Sequence, residues 1–226
     1  MRMKDHLINK RSENKFSILA HRIILAVLLI ILIYQFTFRN FDIMICINLN
    51  QINLYLNIIY YLLCFILDLY RKDTKKSYQF FFHFCFSLSS CLPLIYLVLG
   101  IMNLGKKEYF SNNSLISIGI TISPIIFNIM ETLIIKRYRP SYLNPIFLLL
   151  FLTLYYCIIH FLGKIGIGIE DNFLKYLFEI KYLVPIYIAT IVGAFLGWWI
   201  YKIITRPKIK KIDLKNKLDS SELSEE

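Results

Sequence analysis

Residues Leu115–Ile135 read LISIGITISPIIFNIMETLII, an apolar run with one carboxylate, Glu131, near its end. A run of about 20 residues is long enough to cross about 30 Å of hydrocarbon as a helix. A carboxylate at membrane depth is costly, so it faces protein or a water-filled cavity and usually has a partner. Ser117, Thr121, Asn128 and Glu131 follow one another at steps of four, seven and three, which places them on one helical face. The run therefore predicts a membrane helix with a polar face in a multi-pass protein.

Five further apolar runs predict an all-α integral membrane protein with a bundle of six transmembrane helices. The chain of 226 residues is 57% hydrophobic and 18% charged, which is more apolar surface than a soluble domain of this size can cover. The predicted spans are residues 18–38, 45–67, 78–103, 115–135, 144–167 and 182–204. Residues 18–204 thus form one membrane domain, between an N-terminal segment at 1–17 and a charged tail at 205–226 that we expect to be disordered.

The net charge of +11 is distributed unevenly between the two sides of this bundle. If the odd-numbered spans run outward, both termini and the loops at 68–77 and 136–143 lie on one side, together with 20 of the 26 Lys and Arg residues. The other side carries the remaining six. The bias predicts that the N- and C-termini are cytoplasmic. Since the basic residues set topology and attract anionic headgroups, membrane lipids are the expected partners and nucleic acid is not.

The cysteines show no pattern of a disulfide framework or of a zinc motif. All five lie within predicted spans without paired-ligand spacing, at Cys46, Cys64, Cys85, Cys91 and Cys157. Core packing is therefore favoured, and we expect no metal or other cofactor. The sequence also lacks a paired-glycine phosphate loop, a His-Glu-x-x-His motif and a Gly-x-Ser-x-Gly elbow.

Polar side chains recur at helical spacing in other predicted spans. Span two contains Asn50, Asn53 and Asn57, and span five contains His160. These groups either cross-link helices, at about 0.6–2 kcal/mol for each interhelical hydrogen bond, or converge on a pocket. Because spans two and four both carry such a stripe, we expect Asn53, Asn57, Asn128, Glu131 and His160 to line or support a pocket.

Residue depth separates the polar positions into two levels. Asn50 and Thr121 each lie about six residues into a span that starts at the outer face, roughly 9 Å below the outer boundary at 1.5 Å per residue. Glu131 lies about four residues before Lys136, roughly 6–7 Å from the cytoplasmic side. A structural ion pair and a proton-handling role both suit that depth. Its expected partner is one of four bases, Arg71, Arg137, Arg139 or His83.

These residues resemble a known family of membrane proteins. The likeness is carried by Glu131, Pro140 and Ser141 in a Glu-x8-Pro-Ser pattern, by Tyr156, by LNQINL at Leu49–Leu54 and CFILD at Cys64–Asp68 in span two, and by Pro93 in span three. Over about residues 45–205 the chain resembles the androgen-induced and androgen-dependent TFPI-regulating family. The resemblance implies a six-span protein of the endoplasmic reticulum or another endomembrane. It also implies hydrolysis of a lipid ester, namely a fatty-acid ester of a hydroxy fatty acid.

The same resemblance implies a catalytic pair that this chain does not retain. The family's chemistry is attributed to a threonine nucleophile near the outer end of span two and a histidine base in span four, ten residues before the glutamate. In this chain the two catalytic positions are Asn50 and Thr121. An amide is not a nucleophile of this kind, and a threonine cannot take its proton at neutral pH. Hydrolysis is lost, or the register is shifted in these spans, or a different chemistry uses Thr121, Asn128 or His160.

Three functions are consistent with the sequence. The first is a family-like endomembrane protein whose hydrolase activity is weakened by the two substitutions. The second is a non-catalytic lipid-binding or regulatory membrane protein on the same fold. The third is a small proton-coupled transporter that uses Glu131, which is less favoured because the sequence has no internal repeat and no pair of broken helices in matching halves. The sequence does not identify the lipid, the organelle or the oligomeric state.

Overall fold

The computed structural model describes residues 15–38, 48–69, 76–102, 112–134, 143–165 and 180–222, and all regular secondary structure within these ranges is α-helical. The helices are α1 (Lys15–Phe38), α2 (Leu49–Leu69), α3 (Lys76–Met102), α4 (Asn112–Ile134), α5 (Leu143–Lys164) and α6 (Ile180–Glu222). Each helix coincides with one predicted span, apart from small differences at the ends and the extension of α6. Such apolar runs become helical because lipid offers no hydrogen-bond partner to the backbone, which must satisfy itself internally.

Four of the described helices are long and apolar enough to cross a membrane. They are the segments Leu49–Leu67, Tyr78–Met102, Leu143–Lys164 and Lys181–Thr205. The described apolar parts of α1 and α4, Ile18–Tyr34 and Ile120–Leu133, are shorter. Large apolar side chains also cover the outer surface: on α5, Leu150, Leu154 and Phe161 are 62%, 61% and 63% exposed. A contiguous surface of this kind faces lipid rather than water. The protein is therefore an all-α integral membrane protein.

The last helix is longer than the predicted sixth span. α6 continues past residue 204 and ends at Glu222, so residues 205–222, which we expected to be disordered, are helical. Two features explain the difference. The segment contains five lysines, which have high helix propensity, and it extends an existing helix, so it requires no new nucleation step. Residues 1–14 and 223–226 lie outside the described residues.

Helix α3 occupies the centre of the bundle. It packs against α2, α4, α5 and most extensively α6, while α1 packs against α2 and, to a smaller extent, α4. One hydrophobic cluster fills the space between α3, α5 and α6, with Leu92, Leu152 and Ile186 fully buried. A second cluster joins α1, α2 and α3 around the fully buried Tyr60 and Phe82. The second cluster surrounds the polar groups described below.

Two glycines allow α6 to approach α3 closely. A Cβ atom on Gly193 would lie 2.7 Å from the Cα of Cys91, and one on Gly197 would lie 2.8 Å from the Cβ of Ser90. A side chain at either position therefore requires the helices to move apart. Gly193 and Gly197 form a Gly-x-x-x-Gly pattern, and small residues at this spacing let membrane helices pack through their backbones. This contact holds α6 against α3, which supplies Ser89 to the site described below.

Candidate functional site: a buried polar network

A group of polar side chains meets in the interior where α2, α3 and α4 pack together. Helix α2 contributes Asn53 and Asn57, which lie one turn apart on the same face. Ser89 comes from α3 and Asn128 from α4. All four residues are fully buried. We call Asn53, Asn57, Ser89 and Asn128 the amide cluster.

The amide cluster is a continuous hydrogen-bonded network. The Asn128 Nδ2 atom donates to Asn57 Oδ1 at 2.9 Å, and Asn57 Nδ2 donates to Asn53 Oδ1 at 3.0 Å. Ser89 Oγ accepts from the side-chain nitrogens of Asn57 and Asn128, each at 3.3 Å, and donates to Asn53 Oδ1 at 3.0 Å. Tyr61 adds its hydroxyl, which donates to Asn128 Oδ1 at 3.1 Å. The structure thus brings together Asn53, Asn57 and Asn128 and ties three helices through them.

Glu131 lies one turn beyond Asn128 on α4 and is fully buried. Its Oε1 atom is 3.1 Å from His21 Nε2 of α1, and it accepts a hydrogen bond from the Tyr60 hydroxyl of α2 at 2.9 Å. His21 and Tyr60 are also fully buried. The carboxylate is therefore held by two partners on two different helices, which is how a charged group is accommodated at membrane depth.

His21 is a partner of Glu131 that is not among the four bases expected from the sequence. Arg71, Arg137 and Arg139 lie outside the described residues, and His83 packs edge-on against the ring of Tyr201 at a centroid distance of 4.3 Å. Within its predicted span, no polar residue lies three or four positions from His21, so no polar stripe marks it. The sequence feature that relates His21 to Glu131 is its depth in the membrane. His21 lies about three residues inside the cytoplasmic end of the first span, roughly 5 Å at 1.5 Å per residue, close to the level of Glu131.

A third side chain that can bind a metal, that of Cys64, lies beside His21 and Glu131. The side chains of His21, Cys64 and Glu131 each place one nitrogen, sulfur or oxygen atom within 4.8 Å of the others. Cys64 is 1% exposed and is a thiol rather than a disulfide among the described cysteines. We call these three residues the His–Cys–Glu cluster. The sequence pattern does not relate them, since they come from α1, α2 and α4.

The two positions that the resemblance marks as catalytic, Asn50 and Thr121, differ from the expected pair in their contacts as well as in identity. Asn48 is the N-cap of α2, because its Oδ1 accepts a hydrogen bond from the backbone nitrogen of Asn50 at 3.0 Å. The side-chain nitrogen of Asn50 donates to the hydroxyl of Tyr96 in α3. Thr121 is buried on α4, two turns before Asn128. The hydrogen bonds of Asn50 therefore run to Asn48 and Tyr96, and not to Thr121.

His160 lies apart from the amide cluster, on α5. It is partly exposed, and its Nδ1 atom has no hydrogen-bond partner among the described residues. The polar groups nearest to it in sequence connect α5 to α6 instead. Tyr156 is hydrogen-bonded to Thr190 at 2.8 Å, and Thr153 to Tyr187 at 3.0 Å. These contacts are helix cross-links, and the structure does not bring His160 to Asn128 or Glu131 through a hydrogen bond.

The chemistry of the interior follows from these contacts. The amide cluster consists of neutral donors and acceptors that bond to one another across three helices, which suits helix cross-linking, although Asn53 Nδ2 has no hydrogen-bond partner among the described residues. The His–Cys–Glu cluster holds the groups with acid–base and metal-binding capacity. Comparison of the chain with protein-family models, with curated proteins and with solved structures found no match.

Proposed function

We propose that the protein is a six-span endomembrane protein with cytoplasmic termini, which binds an anionic lipid and does not hydrolyse its ester. The six spans are supported by the helices that coincide with each predicted run, four of them long enough by themselves. The orientation is supported by the 20 basic residues on one side against six on the other. The likeness to the androgen-induced family, carried by the Glu-x8-Pro-Ser pattern, supports a lipid as the ligand.

The orientation is tested separately from the ligand. An epitope tag at either terminus is expected to be accessible after selective permeabilisation of the plasma membrane, with the endoplasmic reticulum left intact. A tag that becomes accessible only when the luminal side is opened contradicts this topology. A luminal chaperone serves as the control for an intact membrane.

A surface groove between α1 and α2 is the observation that carries the lipid-binding proposal. It has a volume of about 410 Å³ and is lined by Arg22, Leu25, Ala26, Leu29 and Phe65. The volume falls within the range of about 300–1,000 Å³ that is usual for small-molecule sites. The guanidinium carbon of Arg22 lies 5.4 Å from the centroid of the Phe65 ring, so the cation is held at one end of an apolar wall.

The groove matches an amphiphile in polarity and in orientation. In the proposed topology Arg22 lies about four residues inside the cytoplasmic end of the predicted first span, and Leu29 lies roughly 10 Å deeper at 1.5 Å per residue. An arginine at this depth extends its charge towards the headgroups while its methylenes stay in the apolar layer. The proposed ligand therefore places an anionic headgroup at Arg22 and an acyl chain along Leu25, Ala26 and Leu29, as expected for an anionic phospholipid of the cytoplasmic leaflet.

The absence of hydrolysis is proposed from the two catalytic positions. Asn50 supplies an amide instead of a nucleophilic hydroxyl, and its nitrogen is engaged by Tyr96. Thr121 supplies no base for a hydroxyl nucleophile at neutral pH. The purified protein is expected to leave a fatty-acid ester of a hydroxy fatty acid intact. Hydrolysis by the wild type that is lost in Asn50→Ala or Thr121→Ala would overturn this part of the proposal. Hydrolysis that is lost in His160→Ala would instead place the catalytic site on α5.

Lipid binding is tested by native mass spectrometry after reconstitution in nanodiscs that contain phosphatidylserine and phosphatidylcholine. The wild type is expected to retain phosphatidylserine preferentially, and Arg22→Gln is expected to lose that preference. Lys181→Gln is the matched control, because the Lys181 Nζ atom also lies over an aromatic ring, 4.8 Å from the Tyr182 centroid, but does not line the groove. A wild type without preference, or equal losses in both variants, contradicts the proposal.

Proton transfer is a second candidate function, favoured by the contact between Glu131 and His21. Two groups that can each carry a proton lie 3.1 Å apart at membrane depth, and such residues often mark proton pathways. In liposomes loaded with a pH-sensitive dye, the wild type would then carry protons and Glu131→Gln would not. Equal proton flux in both proteins removes this role.

A further inference from the structure

The His–Cys–Glu cluster has the composition of a transition-metal site. A ring nitrogen of His21, Cys64 Sγ and a carboxylate oxygen of Glu131 lie within 4.8 Å of one another, and the three residues are 0%, 1% and 0% exposed. Each of these atoms is a known zinc ligand, and each comes from a different helix. We propose that His21, Cys64 and Glu131 bind a zinc ion that joins α1 to α2 and α4 inside the membrane.

The distances suit zinc after a small adjustment of the side chains. Ligand bonds of about 2.0–2.3 Å in a tetrahedral arrangement separate neighbouring ligand atoms by roughly 3.3–3.8 Å. His21 Nε2 and Glu131 Oε1 are already 3.1 Å apart. Separations of up to 4.8 Å require a ligand side chain to approach by about 1 Å to meet the same geometry. This shift lies within the reach of a side-chain rotation and leaves the helices in place.

Charge balance favours a metal at this depth. A thiolate from Cys64 and a carboxylate from Glu131 carry two negative charges, which neutralise the two positive charges of Zn²⁺, while His21 binds as a neutral imidazole. A neutral cluster avoids most of the cost of placing charge in a low-dielectric interior. Binding releases the thiol proton of Cys64 to solvent, so the affinity rises as the pH rises.

The identity of the ligands selects the class of metal. A thiolate and an imidazole are preferred by zinc and by other borderline or soft ions, whereas Ca²⁺ and Mg²⁺ require sets of oxygen ligands. The Tyr60 hydroxyl donates to Glu131 Oε1 at 2.9 Å, which orients the carboxylate as outer-shell partners do at zinc sites. Three protein ligands leave one coordination position for water or another oxygen.

This inference replaces the sequence-based expectation that the cysteines serve only core packing and that no metal is bound. The reason the pattern misses the site is physical. Zinc motifs are recognised by ligands a few residues apart, whereas His21 and Glu131 are separated by 110 positions. Only the packing of α1 against α2 and α4 brings the three ligands together.

The proposal is tested on the full-length protein purified in detergent without chelators. Mass spectrometry of the metal content is expected to find one zinc ion per chain. After replacement of zinc by Co²⁺, the wild type is expected to show a thiolate-to-cobalt charge-transfer band and tetrahedral d–d bands. X-ray absorption of the zinc-loaded wild type is expected to report one sulfur ligand with nitrogen and oxygen ligands. All of these measurements are made on the wild type, so their outcome does not depend on whether a variant folds.

Variants then assign the ligands. Cys64→Ser is expected to remove the charge-transfer band, while Cys85→Ser keeps it. Cys85 is the matched control, since it is a buried cysteine of the same hydrophobic cluster whose thiol donates to the Leu56 carbonyl. Glu131→Gln and His21→Gln are expected to lower zinc affinity at least tenfold. A wild type without bound zinc and without the cobalt–thiolate band overturns the proposal, as does a band that persists in Cys64→Ser.

The zinc site and the proton role of Glu131 lead to different results. Cys64→Ser abolishes metal binding but leaves a proton pathway through Glu131 and His21 intact. Proton flux that survives Cys64→Ser, in a protein that binds no zinc before or after the substitution, assigns the cluster to proton transfer. Lipid retention at Arg22 is independent of both outcomes.

Discussion

Glu131 Oε1 on α4 lies 3.1 Å from His21 Nε2 on α1, and both side chains are fully buried although 110 positions separate them in sequence. The contact joins α1 to α4. It also explains why a carboxylate persists near the end of an apolar run, since a partnered charge costs much less in a low-dielectric interior than an isolated one.

Removal of His21 is expected to destabilise the protein more than removal of a lipid-facing neighbour. In His21→Ala the Glu131 carboxylate loses its imidazole partner, and breaking a buried pair typically costs about 3–5 kcal/mol. The measurement is thermal unfolding in detergent, with EDTA present so that a bound metal does not contribute. Ile23→Ala is the matched control, because Ile23 is 55% exposed on the same helix. Equal losses in the two variants would contradict the assigned role.

The amides of Asn57 and Asn128 are expected to be energetically coupled. Their hydrogen bond of 2.9 Å joins α2 to α4, and interhelical hydrogen bonds in membranes contribute about 0.6–2 kcal/mol. A double-mutant cycle with Asn57→Ala and Asn128→Ala is expected to give a coupling energy in that range. The same cycle between Asn57 and Thr153, which is hydrogen-bonded to Tyr187 instead, is expected to give a value near zero. A cycle for the first pair that is also near zero refutes the coupling.

The close approach of α3 and α6 is expected to be intolerant of added side chains. Gly193→Ala and Gly197→Ala should each destabilise the bundle by about 1–3 kcal/mol, the usual cost of overpacking. The obstacle differs at the two positions: it is the backbone Cα of Cys91 at Gly193 and the Cβ of Ser90 at Gly197. Ser90→Gly should therefore rescue Gly197→Ala and not Gly193→Ala in thermal unfolding. Rescue of both variants, or of neither, would show that the packing has been assigned incorrectly.

The hydroxyl of Tyr156 is expected to contribute to the contact between α5 and α6. It is hydrogen-bonded to the Thr190 hydroxyl at 2.8 Å, and Thr190 also donates to the Ile186 carbonyl. Tyr156→Phe is expected to cost about 0.5–1.5 kcal/mol, the net value of one buried hydrogen bond. Cys157→Ala, at the next residue, which is exposed to lipid, should cost less. If Tyr156→Phe and the wild type unfold at the same temperature, this hydrogen bond makes no net contribution to the free energy of unfolding.

The polar stripes show how much of the buried polar network can be predicted from residue spacing. Helical periodicity places Asn53 and Asn57 on one face of α2, and Asn128 and Glu131 on one face of α4, and the structure brings the first three into one network. Ser89 and Tyr61 complete this network, and neither of them is among the polar-stripe residues predicted from the sequence. A serine or a tyrosine in a membrane helix is common, so its role depends on which neighbour it meets. Spacing therefore identifies the faces and leaves the contacts open.

Depth is the second kind of information that the sequence holds. It places Asn50 and Thr121 at one level, yet Asn50 donates to Tyr96. It also places His21 near the level of Glu131, and these two residues do meet. Depth is a single coordinate, so it states which residues share a plane of the membrane but not which helices are neighbours in that plane.

The amino-acid sequence by itself determined the positions of the helices and the presence of polar faces, because both depend on local periodicity and on the length of each apolar run. Lipid requires every spanning backbone to satisfy its hydrogen bonds internally, so these local signals are sufficient. The tertiary structure alone decided that Glu131 is paired with His21 and that Cys64 joins them. Side chains from helices far apart in the chain become neighbours only through packing, such as the approach of α6 to α3 at Gly193 and Gly197. A local pattern such as Gly-x-x-x-Gly marks a face that packs closely, but it does not say which helix packs against it.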